Sequence, residues 1–491
     1  MQLATIVERL RREGETDLTS APDVEVRALA ADARRVEPGT LFCCWRGTHA
    51  DGHDFLPQAV RAGAVAALVE RPVPDVHVPQ IPVHRGRRAA AFAAAAFYRD
   101  PWATLTVVGV TGTNGKTTTA ALLRHLLGRR GPAASIGTLG VVGPDGRPQP
   151  GSEGLTTPGP IEIAAWLARL RDDGVRGVGM EVSSHALDQD RVAAVRFDAV
   201  IFTNLSHDHL DYHGTFEAYR DAKLRLLGLR KPGAPAALNR DDPTWAQVRT
   251  DGAIGFAVRT EAEVRAVDVR VHPGGTDFRL RTPWGEADAH LPLLGEFNVA
   301  NALGAVAALG ALGWPLAELV DGLASAPQVP GRLERVPGPP DGPQVVIDYA
   351  HTPDALARVL RTLRPLVPGR LVVVFGAGGD RDRTKRPLMG RAVAEWADEA
   401  IVTSDNPRSE DPARIAAEIE AGMGAFPRRR ILDRRAAIHA ALASAGRGDL
   451  VLLAGKGHER VQIWGDEVRP FDEREVVAEF WRARAAHAVD A

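Results

Sequence analysis

The segment from Val107 to Thr119 constrains the fold more than any other part of this chain. It reads Val-Val-Gly-Val-Thr-Gly-Thr-Asn-Gly-Lys-Thr-Thr-Thr, a β-branched strand that ends in a glycine-rich turn, after which a helical stretch runs from Ala120 to Leu127. A strand, a glycine-rich turn and a helix in this order cradle the phosphates of a nucleoside triphosphate. The segment therefore predicts an ATP-binding α/β domain.

Each residue type in the turn contributes differently to phosphate binding. Backbone N–H groups point at phosphate oxygens, the ammonium of Lys116 neutralises charge, and the hydroxyl of Thr117 can hold Mg²⁺. The spacing is unusual, because Val110 stands where the common loop has a glycine. We predict that the turn binds ATP through Gly112, Thr113, Asn114, Gly115, Lys116, Thr117 and Thr118.

Length and composition exclude several classes of protein. A chain of 491 residues is too long for one core, so we expect two or three domains. An apolar content of 45% and a formal net charge of −2 describe a soluble globular protein without a basic surface for nucleic acid. The most apolar stretch, Ala89 to Tyr98, is too short to insert in a membrane. The only cysteines, Cys43 and Cys44, are adjacent, which fits a reducing cytoplasm.

Strands that alternate with helical stretches divide the chain into three predicted α/β domains, residues 1–98, 99–329 and 330–491. Seven short apolar strands in the second and third domains are each followed at once by a polar motif. Ligands of parallel sheets lie beyond the carboxyl ends of the strands. We therefore predict mostly parallel sheets, and two of them that face one cleft.

Two polar motifs follow strands of the middle domain. Glu181 begins Glu-Val-Ser-Ser-His, and His209 lies within Asn-Leu-Ser-His-Asp-His-Leu-Asp-Tyr-His, residues 204–213. Glu181 and His209 could bind Mg²⁺ together with Thr117. Zinc is an alternative that uses His207, His209 and His213, although their spacing matches no common zinc pattern; His207 and His213 are also typical hydrogen-bonded scaffold residues.

Two helical segments of the middle domain carry further candidates. Lys223 lies in the stretch from Phe216 to Leu227, where propensity alone predicts an exposed helix lysine. A long Ala/Leu helix follows Gly295, and we predict that Asn298 caps it and that Asn301 reaches a base or ribose.

The third domain combines acids, amides and guanidinium groups at its strand ends. Asp348 and His351 follow one strand, and the glycine-rich segment 376–383 follows the next. Residues 405–408 read Asp-Asn-Pro-Arg, and residues 455–459 read Gly-Lys-Gly-His-Glu. Together they could bind a ligand that has both ammonium and carboxylate groups. The alternative for residues 405–408 is a capped turn before a helix at Pro412.

Taken together, these motifs resemble those of the Mur ligases of peptidoglycan precursor synthesis, and most closely the MurE group. The resemblance covers essentially the whole chain and includes the unusual glycine spacing before Lys116. It implies a small N-terminal domain for the UDP part of the substrate, a central P-loop-type ATPase and a C-terminal Rossmann-like domain that binds an amino acid. It also implies a cytoplasmic enzyme with ATP and Mg²⁺ as cofactors, and monomer is the default state.

The resemblance assigns roles residue by residue. Lys116 contacts the β- and γ-phosphates, and Lys223 becomes a carbamate that helps to hold Mg²⁺. The nucleotide also meets Asn301, Arg332 and Asp348. The UDP-MurNAc-dipeptide is held by Thr156, Thr157, Ser183, Gln189 and Arg191. The incoming amino acid is surrounded by Arg381, Asp405, Asn406, Pro407, Arg408, Gly455 and Glu459.

The implied reaction is ATP-dependent amide ligation through an acyl phosphate. Diaminopimelate would be added to UDP-MurNAc-L-Ala-D-Glu, with Arg408 on the second carboxylate of the amino acid and His351 as a base for its amine. L-Lysine or L-ornithine in place of diaminopimelate is the main alternative. A folylpolyglutamate-synthetase-like ligase and a binding module that has lost catalysis are two others. One position departs from the family, because Ala33 replaces a serine that helps to bind uridine.

Overall fold

The structure is a computed structural model that describes residues 1–47 and 50–489, the last three of these for their backbone alone. It divides into two compact units, one of residues 1–269, 278–290 and 296–325, the other of residues 270–277, 291–295 and 326–491. Within the described residues, no helix is both long and apolar enough to cross a membrane.

The N-terminal part of the first unit is built on a four-stranded parallel sheet in the order β1-β2-β3-β4. Leu3, Ile6, Val7 and Leu10 recur at helical spacing, and all four are buried on one face of the first helix. The elements are α1 Leu3–Arg12, β1 Ala28–Ala30, β2 Thr40–Cys43, α2 Leu56–Arg61, β3 Ala64–Val69, β4 Gln80–Pro82 and α3 Gly86–Phe97.

A ten-stranded sheet follows, in the order β14-β13-β12-β11-β10-β9-β5-β8-β6-β7. The six adjacent strands in the middle of this sheet run parallel to one another, namely β11, β10, β9, β5, β8 and β6. The elements are β5 Thr106–Thr111, α4 Lys116–Leu127, β6 Ala133–Gly137, β7 Gly140–Val142, α5 Pro160–Asp172, β8 Gly177–Glu181, α6 Ser184–Asp188, β9 Ala199–Phe202, α7 Leu210–His213, α8 Phe216–Leu224, β10 Ala236–Asn239, α9 Pro243–Ala246, β11 Ala253–Ala257, β12 Val264–His272, β13 Gly275–Thr282, β14 Gly285–Leu291, α10 Glu296–Ala311 and α11 Leu316–Ala324.

Helix α10 is apolar nearly all round and is buried between the sheet and α4. Gly304 allows its close approach, because a Cβ there would lie 2.9 Å from Cγ2 of Ile201 on β9. The prediction that Asn298 caps this helix is wrong. The helix begins at Glu296, so Asn298 lies within its first turn and accepts a hydrogen bond from the amide of Asn301 at 3.2 Å.

The second unit contains a six-stranded sheet in the order β15-β16-β20-β17-β18-β19, in which only β15 is antiparallel. Continuous apolar runs form β17 and β20, as expected for strands that are covered on both faces. The elements are β15 Glu334–Val336, β16 Gln344–Asp348, α12 Pro353–Leu363, β17 Leu371–Phe375, α13 Lys385–Trp396, β18 Glu399–Val402, α14 Pro412–Glu420, β19 Arg428–Arg430, α15 Arg434–Ser444, β20 Leu450–Ala454, β21 Val461–Trp464, β22 Glu467–Pro470 and α16 Glu473–Val489.

The predicted α/β class and mostly parallel sheets are confirmed. The strands predicted in front of the seven polar motifs are all present, as β5, β8, β9, β16, β17, β18 and β20. The carboxyl ends of β5, β8 and β9 therefore lie side by side in one sheet, and those of β16, β20, β17 and β18 lie side by side in the other. The boundaries at residues 98/99 and 329/330 stay predictions.

Candidate active site

The glycine-rich turn connects β5 to the start of α4, as the sequence predicts. Gly112 and Gly115 both have left-handed backbones, with φ of +149° and +87°. A Cβ at Gly112 would lie 1.9 Å from Oγ1 of Thr203, and one at Gly115 would lie 2.2 Å from Oδ1 of Asn301. Both glycines are therefore required by conformation and by space.

The segment after β9 supports this turn by hydrogen bonds. Asn204 accepts from the N–H of Asn114 at 3.0 Å, and its amide donates to the carbonyl of Asn114 at 3.0 Å. Thr203 Oγ1 donates to the same carbonyl at 2.6 Å. The hydroxyl of Thr113 lies 3.1 Å from that of Tyr219 on α8. The turn is thus held in one conformation from two sides, which presents its N–H groups in fixed directions.

Two lysines converge on one carbonyl of the turn. Lys116 Nζ donates to the carbonyl oxygens of Gly112 at 2.8 Å and Thr113 at 2.9 Å, and Lys223 Nζ donates to that of Gly112 at 2.9 Å. Lys223 is 1% exposed, and its Nζ lies 4.5 Å from the centroid of the Tyr219 ring. The prediction of an exposed lysine is therefore wrong, because α8 turns Tyr219 and Lys223 inward together.

Burial, and next the positive charge of Lys116, lower the pKa of Lys223 well below its ordinary value. Among the described residues, no carboxylate forms an ion pair with its ammonium. A buried amine of this kind is neutral more readily than a surface lysine, and the neutral amine is the form that reacts with CO₂ to give a carbamate. The geometry is compatible with the carbamate that the resemblance implies.

Glu181 lies at the carboxyl end of β8, beside the start of α4. Its Oε2 accepts from the hydroxyls of Thr117 and Thr138, each at 3.2 Å, and its Oε1 accepts from the N–H of Thr138 at 2.8 Å. Glu181 is 1% exposed and Thr117 is 8% exposed. A buried carboxylate next to a threonine hydroxyl is a hard-oxygen donor set, so these two side chains fit Mg²⁺. Nothing in the sequence singled out Thr138.

His209 belongs to an aromatic group at the edge of this region. Its ring centroid lies 4.8 Å from that of His185 and 6.0 Å from that of Tyr219. Burial chiefly lowers the pKa of His209, and burial followed by His209 lowers that of His185 to about 4. Both imidazoles are therefore neutral near pH 7, which a metal ligand requires.

The zinc alternative has no support in the part of the chain that the structure describes. There, His207, His209 and His213 do not come together as a group of three metal-compatible side chains. His213 instead forms a hydrogen bond with Ser184 Oγ at 3.0 Å. This is the scaffold role that the sequence offered as the alternative.

The residues predicted for the UDP-MurNAc-dipeptide form one hydrogen-bonded group in the first unit. Thr157 accepts from the N–H of Ser183 at 3.0 Å, and its carbonyl accepts from Arg191 at 2.9 Å. Arg191 also donates to Gln189, whose amide in turn donates to the hydroxyl of Tyr212 at 3.1 Å. Thr156 lies beside Thr138, with 3.2 Å between their hydroxyl oxygens. The structure therefore brings these residues together.

Ala33 lies elsewhere in the first unit, at the start of a short 3-10 helix. It is 8% exposed and belongs to an apolar cluster with Phe42, Leu56 and Val69. The methyl group of Ala33 thus takes part in packing, and it cannot replace the hydrogen bond of the family serine.

Asp348, Arg332 and His351 lie together in the second unit. Asp348 accepts from the N–H groups of Leu333 at 2.7 Å and Ala350 at 2.8 Å, while burial raises its pKa. The guanidinium of Arg332 stacks on Tyr349 at 4.7 Å. His351 Nδ1 donates to the carbonyl of Tyr349 at 2.8 Å, and burial lowers the pKa of its imidazole. Its Nε2 is therefore the unprotonated nitrogen near pH 7.

The segment from Asp405 to Arg408 is held by hydrogen bonds to neighbouring segments. The amide of Asn406 donates to Glu459 Oε2 at 2.9 Å, and Arg408 Nη1 donates to the carbonyl of Gly379 at 2.8 Å. Arg408 has a left-handed backbone with φ of +52°, a strained conformation for this residue type. The helix at Pro412 that the alternative requires is present, with Asp411 as its cap, and residues 405–408 in addition make the contacts to Glu459 and Gly379.

Gly455 and Glu459 approach this segment from β20. Gly455 has φ of +113°, and a Cβ there would lie 2.6 Å from Oδ2 of Asp405. Pro407 also contacts a glycine, since a Cβ at Gly379 would lie 1.8 Å from its carbonyl oxygen. Arg381 is exposed at the end of the same glycine-rich segment. The predicted amino-acid-binding residues thus form one group, with Arg381 at its exposed edge.

A buried arginine that the sequence did not reveal supports these loops. Arg434 donates to the carbonyl oxygens of Ser404 at 3.4 Å and Ala454 at 2.9 Å, the residues just before Asp405 and Gly455. Its guanidinium and the carboxylate of Glu473 are both fully buried and lie 2.7 Å apart. One side chain therefore connects the carboxyl ends of β18 and β20. No sequence motif marks Arg434, because it opens an ordinary helix.

Comparisons with known proteins agree with this arrangement. Residues 25–98 match the Mur ligase family catalytic domain, residues 110–309 the Mur ligase middle domain and residues 331–457 the Mur ligase glutamate ligase domain. The UDP-N-acetylmuramoyl-L-alanyl-D-glutamate–2,6-diaminopimelate ligase of Geobacillus thermodenitrificans is 43% identical over 97% of this chain and 98% of its own length. That of Synechococcus elongatus is 45% identical over 93% and 94%. A solved structure of a ligase with the same name is 31% identical, with a TM-score of 0.70 and coverage of 99% and 100%.

Proposed function

The chain belongs to the Mur ligase family, and we propose that it is the ATP-dependent ligase that adds meso-diaminopimelate to UDP-MurNAc-L-Ala-D-Glu. The relatives that carry this activity in their names match more than nine-tenths of the chain. The observation in the structure that carries the proposal is the junction of β8 with α4. There Thr117 and Glu181 share a hydrogen bond beside a turn whose carbonyl accepts from two lysines.

The first half-reaction transfers the γ-phosphoryl group of ATP to the carboxylate of the D-Glu residue. Lys116 and the N–H groups of the turn stabilise the charge on the phosphates, so this step relies on positioning and electrostatics. Thr117, Glu181, His209 and the carbamate of Lys223 would hold Mg²⁺. The metal ion, when bound, screens the negative charge of the phosphates.

The second half-reaction forms the amide. The amine of the incoming amino acid attacks the acyl phosphate, and phosphate leaves. The amine must be neutral to attack, and His351 is the base that we propose, since its Nε2 is unprotonated near pH 7. Among the described residues, this nitrogen has no hydrogen-bond partner, so it is available to accept the proton.

The choice of diaminopimelate rests on residues 405–408 together with the names of the relatives. Arg408 would bind the carboxylate on the distal stereocentre, which lysine and ornithine lack. A guanidinium that is desolvated without its carboxylate costs binding free energy, so the pocket would discriminate against both. The folylpolyglutamate alternative is disfavoured because the match includes an N-terminal Mur ligase domain.

Three finer points belong to the same proposal. We assign residues 1–98 to the UDP part, 99–329 to ATP and 330–491 to the amino acid. We place the reaction in the cytoplasm, where ATP and nucleotide-linked precursors are available, and we take a monomer as the working state.

The test is phosphate release by the purified protein with ATP, Mg²⁺ and UDP-MurNAc-L-Ala-D-Glu. Diaminopimelate, L-lysine and L-ornithine are supplied in separate reactions. We expect turnover with diaminopimelate, and a loss of that preference in Arg408→Ala. Preference for lysine or ornithine would support the ligase activity but would contradict the proposed role of Arg408 in selecting diaminopimelate. Absence of turnover with all three would reject the proposed activity.

A further inference from the structure

Lys456 is a fully buried lysine beside the proposed amino-acid-binding residues. Its side chain is 0% exposed, and its Nζ donates to Asn406 Oδ1 at 3.0 Å and to Glu459 Oε2 at 3.1 Å. An ammonium that is fully desolvated in an ion pair contributes little net stability, because the cost of desolvation offsets the attraction between the charges. Its presence here calls for a role other than stability.

The hydrogen bonds of Lys456 fix the orientation of the Asn406 amide. Oδ1 of Asn406 accepts both from Lys456 and from the N–H of Ile463 at 3.1 Å. Its Nδ2 must therefore point in the opposite direction, where it donates to Glu459 Oε2 at 2.9 Å. A rotated amide would face the two donors with its own NH₂ group.

The same arrangement divides the two oxygens of Glu459. Oε2 receives two donors, one from Lys456 and one from Asn406. Oε1 accepts no hydrogen bond among the described residues, and the side chain is 28% exposed. One carboxylate oxygen is thus saturated and anchored, and the other is presented to solvent in a fixed direction. Such an oxygen is preorganised to accept from an ammonium group.

We propose that Lys456 is a positioning residue for the incoming amino acid, which acts by anchoring Glu459 and Asn406 so that Glu459 Oε1 binds the substrate ammonium. Lys456 does not touch the substrate itself. This inference rests on the proposed ligase activity and adds a residue that determines how that activity binds its amino acid.

The kinetic test compares Lys456→Met, Glu459→Gln and the double variant. We expect Lys456→Met to raise KM for meso-diaminopimelate about tenfold or more while kcat and KM for ATP change less than about threefold, because the lost interaction is one of substrate binding. Since Lys456 acts through Glu459, KM of the double variant should lie within about threefold of that of Glu459→Gln alone. An unchanged KM in Lys456→Met, or effects that multiply, would overturn the proposal.

Lys231→Met is the matched control. Lys231 donates to Asp198 at 2.9 Å and to the carbonyl of Trp102 at 3.1 Å, so it too is a lysine held by one acid and one further oxygen. Its loss should affect stability without changing KM for the amino acid. An equal rise in KM in this variant would show that the effect of Lys456→Met is general destabilisation.

A crystal structure of Lys456→Met tests the anchoring without reference to activity. We expect Glu459 to leave Asn406, with more than about 3.5 Å between Oε2 and Nδ2, which is beyond hydrogen-bond distance. An unmoved Glu459 would overturn the proposal even if the ligase is active. If the wild-type protein is inactive with every amino acid, the proposed function is rejected. The anchoring of Glu459 by Lys456 is still tested in that case, because the crystal structure of the variant does not depend on turnover.

Discussion

Gly137→Ala is the substitution by which the site can be probed most sharply. Gly137 is the last residue of β6, and a Cβ there would lie 2.1 Å from Oε1 of Glu181 and 2.6 Å from its Cδ. Contacts this short do not occur, so the carboxylate of Glu181 must move. The backbone of Gly137 is outside the left-handed region, and the effect is therefore purely one of space.

The magnitude follows from the bonds that Glu181 makes. It accepts two hydrogen bonds from Thr138 and one from Thr117. A hydrogen bond to a charged group is worth about 1.5–3 kcal/mol, so losing two of them costs about 3–6 kcal/mol. If that loss falls on nucleotide and metal binding in the transition state, kcat/KM for ATP falls by about two to four orders of magnitude.

The assay is steady-state phosphate release against ATP concentration, at a temperature where thermal unfolding shows the variant to be folded. Gly128→Ala is the control. No atom lies within 4 Å of a Cβ at Gly128, and its backbone is right-handed helical. Alanine there should retain activity and gain up to about 1 kcal/mol of stability. A kcat/KM within about threefold of wild type in Gly137→Ala would refute the placement of Glu181 at the nucleotide site.

Three further predictions concern buried titratable side chains. Activity should fall when bicarbonate and CO₂ are removed and return when bicarbonate is restored, and Lys223→Met should be inactive in both conditions, as phosphate release will show. Because burial lowers the pKa of His351, the base form dominates near pH 7; the rate should fall only in acid, below the range in which an ordinary histidine titrates, and His351→Gln should lose that dependence. Arg434→Met leaves Glu473 buried without its partner and should lower the free energy of unfolding by about 3–5 kcal/mol in chemical denaturation, whereas Arg434→Met with Glu473→Leu should recover much of it.

The positions of the strands, and of the polar motifs that follow them in the chain, could be predicted from the sequence because both depend on local patterns. β-branched runs formed β5 and β9, and each polar motif fell at a carboxyl end. The glycines of the turn were recognisable by the same reasoning. Lys223 was not, because its burial depends on which face of α8 packs inward, and propensity carries no information about that face.

The supporting residues were invisible to sequence for a related reason. Thr138 acts on a carboxylate 43 residues away, and Arg434 acts on carbonyl oxygens 20 or more residues away, so neither contact leaves a local pattern in the sequence. Asn298 illustrates the opposite error: an asparagine near a helix start is typically a cap, but here the helix begins two residues earlier and the side chain binds Asn301 instead.

The position of Arg434 bears on how the amino acid substrate of such a ligase could be changed. The other partner of Arg434 besides Glu473 is the main chain of the two loops that start at Ser404 and Ala454, so its hold on these loops does not depend on their side chains. Both loops would therefore be anchored in the same way if their side chains were replaced. Transplanting residues 405–408 together with 455–459 from a lysine-adding relative should then transfer substrate choice, provided that Arg434 and Glu473 stay in place.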